Sequence, residues 1–184
     1  MPRKSRETSV SSIYHVMLRG INKQVIFESN DDYWKFIRLM YRLIHPIDET
    51  GYPLSPHCGI YAYCLMSNHV HLLIKDIDNS LASTIKGMTI PYAQYFNKKY
   101  DRVGHFFQDR FKSEPVNDWD YFVTLLRYIH QNPVAAGLTK DTYGVKDPVT
   151  REQMAMFLNR TPLIKERVAE YNKAHPASEK AYAF

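Results

Sequence analysis

The sequence is short of the features that define several large protein classes. Only two cysteines occur in 184 residues, Cys58 and Cys64, too few for a disulfide framework. Their spacing, Cys-x5-Cys, matches no common zinc pattern, so both are expected to be reduced thiols in a cytosolic protein. No run approaches the roughly 20 apolar residues of a membrane span. The polar, basic start from Met1 to Ser12 has no apolar stretch behind it and does not read as a secretory signal. Internal repeats and low-complexity tracts are missing too. The charge is not lopsided: 24 Lys and Arg face 19 Asp and Glu, a net charge of +5. That favours an anionic partner only mildly, because many proteins that never touch nucleic acid are equally basic.

What is present describes a globular chain, with 45% hydrophobic and 23% charged residues. Its length suits one domain with extra elements and allows about 70% of the unfolded surface to be buried. Residues 13–18 read as a first strand, apolar and β-branched, ending at Arg19-Gly20. Asn30 is a good N-cap for a helix over 31–45, where Tyr33, Ile37, Met40, Tyr41 and Ile44 recur at helical spacing and Pro46 closes the run. A Gly- and Pro-containing loop over 46–56 leads to two strands, 57–65 and 70–75, joined by Met66-Ser67-Asn68. A helix over 80–100 follows, which Pro91 should kink or split. Residues 98–112 read as a basic, aromatic connection. Asn117 or Asp118 caps a third helix that Pro133 is expected to end at Asn132. A further helical pair is expected near 150–158 and 162–173. Strand, helix, strand, strand, helix implies an α+β, ferredoxin-like (RRM-like) sandwich. Its sheet would be mainly antiparallel, with helices packed on one face.

The sharpest local feature is His69-Val70-His71. On a strand, His69 and His71 share a face with Leu73, while Val70, Leu72 and Ile74 point into the core. Neutral imidazoles so placed can converge on one cation, although His-x-His alone is cheap in sequence space. In Arg127-Tyr128-Ile129-His130-Gln131-Asn132-Pro133, Tyr128 and Asn132 share one helical face. Phe122, Leu125 and Ile129 form a separate apolar stripe. A phenol with a pKa near 10 needs a neighbour or a metal to act as a nucleophile. With 14 tyrosines in the chain, packing is the commoner role for any one of them. The connection carries Lys98, Lys99, Arg102, Arg110 and Lys112 among Tyr100, His105, Phe106, Phe107 and Phe111. Cations beside rings suit a single nucleic-acid strand, and equally a solvated segment whose aromatics anchor it in the core. Arg3, Lys4 and Arg6 form either a basic arm or an ordinary terminus.

Taken together, several blocks resemble the single-tyrosine HUH transposases of insertion sequences, above all the REP-associated branch. They are Tyr14-His15-Val16 through Arg19-Gly20 with Gln24-Val25-Ile26-Phe27, then Tyr63 through Leu73, then Tyr92-Ala93-Gln94-Tyr95-Phe96-Asn97. Gly104-His105-Phe106-Phe107-Gln108 with Arg110-Phe111-Lys112 follows, and Arg127 through Val134 with Ala136-Gly137-Leu138 completes the set. The likeness runs over about residues 13–145. Ile21 and Lys23 stand where the family favours asparagine and arginine, and Asp109 replaces a small residue. The tryptophan-serine-serine signature is missing after Tyr143.

The resemblance implies a catalytic domain over 1–145 and a helical extension over 146–184. It implies Tyr128 as nucleophile, with His69, His71 and Asn132 as ligands of Mg²⁺ or Mn²⁺ and Gln131 as a fallback ligand. The expected reaction is nicking and strand transfer on single-stranded, hairpin-containing DNA through a 5′-phosphotyrosine. Arg19, Lys98, Lys99, Arg102, His105, Arg110, Lys112 and Arg127 form the candidate DNA-binding set. The expected protein is a cytoplasmic monomer or homodimer without membrane contact. Three other readings stay open on sequence: a domesticated hairpin-repeat binder without transposition, an RNA-binding module of RRM layout, and a metal-dependent hydrolase that uses water.

Overall fold

Alternation along the first strand decides which side of the sheet each residue serves. The computed structural model describes residues 6–135, with side chains through His130. In β1 (Ile13–Arg19), Tyr14, Val16 and Leu18 are buried in one core cluster, and His15, Met17 and Arg19 face the opposite way. The chain continues through α1 (Asn30–Ile44), β2 (Cys58–Met66), β3 (His69–Asp76), α2 (Leu81–Lys99), β4 (Lys112–Pro115) and α3 (Trp119–Ala135). The strands lie in the order β2-β3-β1-β4, and every pairing is antiparallel. This βαββαβ order and strand arrangement form the ferredoxin-like sandwich expected from the sequence, extended by α3. No helix among the described residues is long and apolar enough to cross a membrane.

Two cores flank the sheet. On one face α1 supplies Phe36, Leu39 and Met40, and α2 supplies Leu81, Ile85, Met88, Tyr92 and Phe96, over Val16, Val70, Leu72 and Ile74. The two helices approach closely at Gly87, where an added Cβ would lie 3.3 Å from Leu43 Cδ2. On the other face α3 lays Phe122, Val123, Leu125, Leu126 and Ile129 over Tyr61, Ala62, Cys64, Met66 and Leu73. The expectation of helices on one face therefore holds for α1 and α2 but not for α3. A register shift between Ile60 and Ala62 helps to create this second surface. It turns Tyr61, Ala62, Cys64 and Met66 toward α3, and such an apolar face has to be covered.

Four local expectations change. Ser29, not Asn30, caps α1, and the Asp32 carboxylate in the first turn accepts the Ser29 and Glu28 backbone N–H groups, each at 2.9 Å. The connection before α3 contains the fourth strand, β4, which pairs with β1. Pro91 does not split α2, which runs unbroken. Packing outweighs the lost donor, since Met88 and Tyr92 are fully buried and the Tyr92 hydroxyl donates to the Ile26 carbonyl. Pro133 does not end α3, which continues to Ala135. Proline removes one donor, and a backbone near a helix end can absorb that loss over a residue or two. The helical pair foreseen at 150–158 and 162–173, and the boundary between 145 and 146, lie outside the described residues.

Candidate active site

The antiparallel register of β1 and β3 builds the floor of the site. Arg19 lies opposite His69 and Met17 opposite His71, all on the sheet face that α3 covers. The His69 and His71 ring centroids are 5.0 Å apart and nearly perpendicular. From α3, Tyr128 brings its ring centroid to 5.5 Å from that of His71, again edge to face. Ile129 and Leu125 anchor the helix in the core, while Tyr128 stays 48% exposed at the cleft. The apolar stripe and the displaced tyrosine thus divide the helix surface as their spacing predicts. The cleft holds about 400 Å³ and is lined by Arg19, His69, His71 and Tyr128. Gln108, Asp109, Arg110, Phe111 and Lys112 line it as well.

Burial keeps the imidazoles neutral. His71 is only 4% exposed, and desolvation, helped by His15 and His69, pushes its pKa down to about 4. Desolvation and the nearby Arg19 lower that of His69. His15 is lowered by burial as well, with Glu114 opposing the shift. Neutral imidazoles keep a lone pair for a metal. The His69 Nδ1 lies 2.6 Å from Asn68 Oδ1, an acceptor, so Nδ1 carries the proton and Nε2 keeps the lone pair. The His71 Nδ1 lies 3.0 Å from His15 Nε2, which leaves the His71 Nε2 as its other nitrogen. Among the described residues no group of three or more His, Cys, Asp or Glu side chains could hold a metal. A third protein ligand would therefore come from another residue type or from elsewhere. The side chains of Asn132 and Gln131 lie outside the described set.

The candidate cations separate into two groups. Arg19, Arg110 and Lys112 line the cleft; Lys98, Lys99, Arg102, His105 and Arg127 are not part of its lining. Lys99 has structural work: its Nζ donates to Asp32 Oδ1 and Ser29 Oγ, both at 2.8 Å. The Arg102 guanidinium donates to Gln24 Oε1 and sits beside the Phe96 and Phe106 rings. Lys98, His105 and Arg127 are exposed. Two features escaped the sequence reading. The His15 ring lies edge to edge with that of His71, centroids 5.2 Å apart and planes within 17° of parallel, and Arg6 lies 3.8 Å over the ring of Phe111 at the edge of the cleft. Strand alternation puts His15 on the histidine face, which is the signal that could have found it.

No curated protein matches the chain. Among solved structures, it is similar to one described as a REP-associated tyrosine transposase bound to a REP hairpin. The two share 16% identity with a TM-score of 0.54, over 77% of this chain and 78% of that one. A second, described as a putative transposase from Deinococcus radiodurans R1, shares 14% identity with a TM-score of 0.43, over 71% of this chain and 97% of that one. The first likeness supports the fold. The family model for IS200-like transposases matches residues 8–132, more than half the sequence, and the chain belongs to that family.

Proposed function

We propose that this transposase family member is a metal-dependent enzyme that nicks and rejoins single-stranded DNA, with Tyr128 as its nucleophile. One observation carries the reading: the phenol ring lies 5.5 Å from the buried imidazole of His71, in a cleft that also holds His69 and the cationic side chains of Arg19, Arg110 and Lys112.

The donor set fits a divalent cation. His69 offers Nε2, and His71 offers Nε2 if its Nδ1 carries the proton toward His15. Asn132, one turn beyond Tyr128 on α3, is the candidate third ligand, and Gln131 the fallback. A bound Mg²⁺ or Mn²⁺ would polarise a phosphate and stabilise charge on the departing oxygen. Imidazole donors suit Mn²⁺ better than the oxygen-preferring Mg²⁺.

Arg19, Arg110 and Lys112 would hold the strand by its phosphates, and Phe111 offers a face for a base. The Tyr128 oxygen attacks phosphorus in line and loses its proton to solvent. The bond from phosphorus to the 3′ oxygen breaks, and that oxygen takes up a proton. The products are a 5′-phosphotyrosine and a free 3′ hydroxyl. Attack by another DNA hydroxyl reverses the step and joins strands without ATP. A hairpin-bearing strand is the substrate we assign, by analogy with the hairpin bound to the structurally similar protein. The buried free thiols of Cys58 and Cys64 suit the reducing cytoplasm as its compartment.

The test is incubation with labelled single-stranded hairpin DNA and Mn²⁺, followed by a denaturing gel. Wild type should form a covalent protein–DNA adduct, and Tyr128→Phe should lose it while binding DNA nearly as well. An adduct that persists in Tyr128→Phe refutes the nucleophile. Cleavage without any adduct favours a hydrolase that uses water.

A further inference from the structure

We infer that His15 is a positioning residue that fixes the ring and the tautomer of His71, with Glu114 completing the chain behind it. The inference rests on the proposed metal site and deepens it. His15 comes from β1 and is 4% exposed, and a polar ring so buried is costly unless its nitrogens are paired. Its Nε2 lies 3.0 Å from His71 Nδ1, and the two rings are within 17° of parallel. In a bond between two neutral imidazoles one nitrogen donates and the other accepts, so the tautomers of both rings are linked.

Glu114 sets the direction. It is the cross-strand partner of His15 on β4, and its Oε2 lies 3.7 Å from His15 Nδ1. That nitrogen is buried and has no hydrogen-bond partner at this separation. The Glu114 side chain is about half exposed, and the Tyr121 hydroxyl on α3 donates to the same carboxylate oxygen at 3.3 Å. A carboxylate only accepts, so the His15 proton belongs on Nδ1. His15 Nε2 must then accept, His71 Nδ1 must donate, and the His71 lone pair is left on Nε2. This is the tautomer that a ligand bonding through Nε2 requires, and partners of this kind typically contribute 10- to 100-fold in metal affinity. His15 touches no substrate in this account and acts only through His71.

Two measurements test the inference. Long-range ¹H–¹⁵N correlation spectra of the metal-free protein should show His71 protonated at Nδ1; a His71 protonated at Nε2 overturns the proposal. Mn²⁺ affinity, read by electron paramagnetic resonance, should fall about 10- to 100-fold in His15→Phe, which keeps an aromatic ring at that position but removes its nitrogens. His15→Gln, which restores an acceptor, should recover part of the loss, and Glu114→Ala should weaken binding several-fold. Unchanged Mn²⁺ affinity in a folded His15→Phe also overturns it. If His15→Phe does not fold, Glu114→Ala and the wild-type tautomer decide. A wild type that forms the DNA adduct while His15→Phe binds Mn²⁺ normally sinks this inference alone. A wild type with neither adduct nor Mn²⁺ binding sinks the proposed function, and the His71 tautomer still decides the role of His15.

Discussion

Asp32 has no exposed surface, and five donors converge on its carboxylate. They are the Glu28 and Ser29 backbone N–H groups, the Tyr95 and Tyr100 hydroxyls, and Lys99 Nζ at 2.8 Å. Burial alone would raise its pKa, but the bonds from Lys99, Tyr100, Ser29 and Tyr95 outweigh burial and hold it below the usual value. With a depressed folded pKa, the unfolded chain takes up the proton first as pH falls. The stabilisation is therefore full above an unfolded value of about 3.9 and is lost as pH drops through the folded one. Asp32→Asn should cost on the order of 3 kcal/mol in urea unfolding at pH 7. It should also flatten the acid limb of stability below about pH 4, which the same titration repeated across pH would show. At this scale the sequence showed charge but not its partner. Lys99 and Arg102 read as candidate phosphate-binding cations and prove to be held by Asp32 and Gln24. Periodicity placed His69, His71 and Tyr128 off the apolar stripes, but only the family resemblance singled them out as candidate site residues. His15 was not, since its partners come from β3 and β4, 56 and 99 positions away in the chain.

Among the elements, period sufficed to find β1, α1, β2, β3 and α2, although punctuation misled at the α1 cap and at Pro91. They failed for β4, whose Lys112-Ser113-Glu114-Pro115 has no apolar alternation. That composition is normal for a short edge strand, where charge and proline discourage further pairing. They failed again for the side on which α3 packs, because amphipathicity says that a face is buried without saying against what. The junction after β1 yields a sharper test. Gly20 has an ordinary negative φ of −62°, so its need is for space and not for backbone freedom. An added Cβ would collide with the Gln24 carbonyl oxygen and come within 2.7 Å of Ile26 Cγ2. Neither atom can yield easily, because the Ile26 side chain is fully buried and its backbone N–H donates to the Ser67 carbonyl. Gly20→Ala should destabilise the protein by about 1–3 kcal/mol in urea unfolding, as overpacking typically does. It should also reduce DNA-adduct formation, since Arg19 is the preceding residue.

For the whole molecule, the net charge of +5 is too small to direct DNA to one place, so the arrangement of cations must do so. Arg19, Arg110 and Lys112 meet in the cleft beside the histidines, and Lys98 lies outside its lining. If single-stranded DNA follows the cleft, neutralising Arg110 or Lys112 should lower the salt slope of log K by about 0.7 each. Lys98→Ala should leave that slope nearly unchanged. Fluorescence-anisotropy titrations across a salt series would measure both. After reaction of hairpin-bearing single-stranded DNA with the wild-type protein and Mn²⁺, nuclease and trypsin digestion followed by mass spectrometry locates the linked nucleotide. A 5′-phosphate bonded to the Tyr128 oxygen is the predicted result. A nucleotide linked to any other residue, or cut DNA with no linked residue at all, would exclude Tyr128 as the nucleophile.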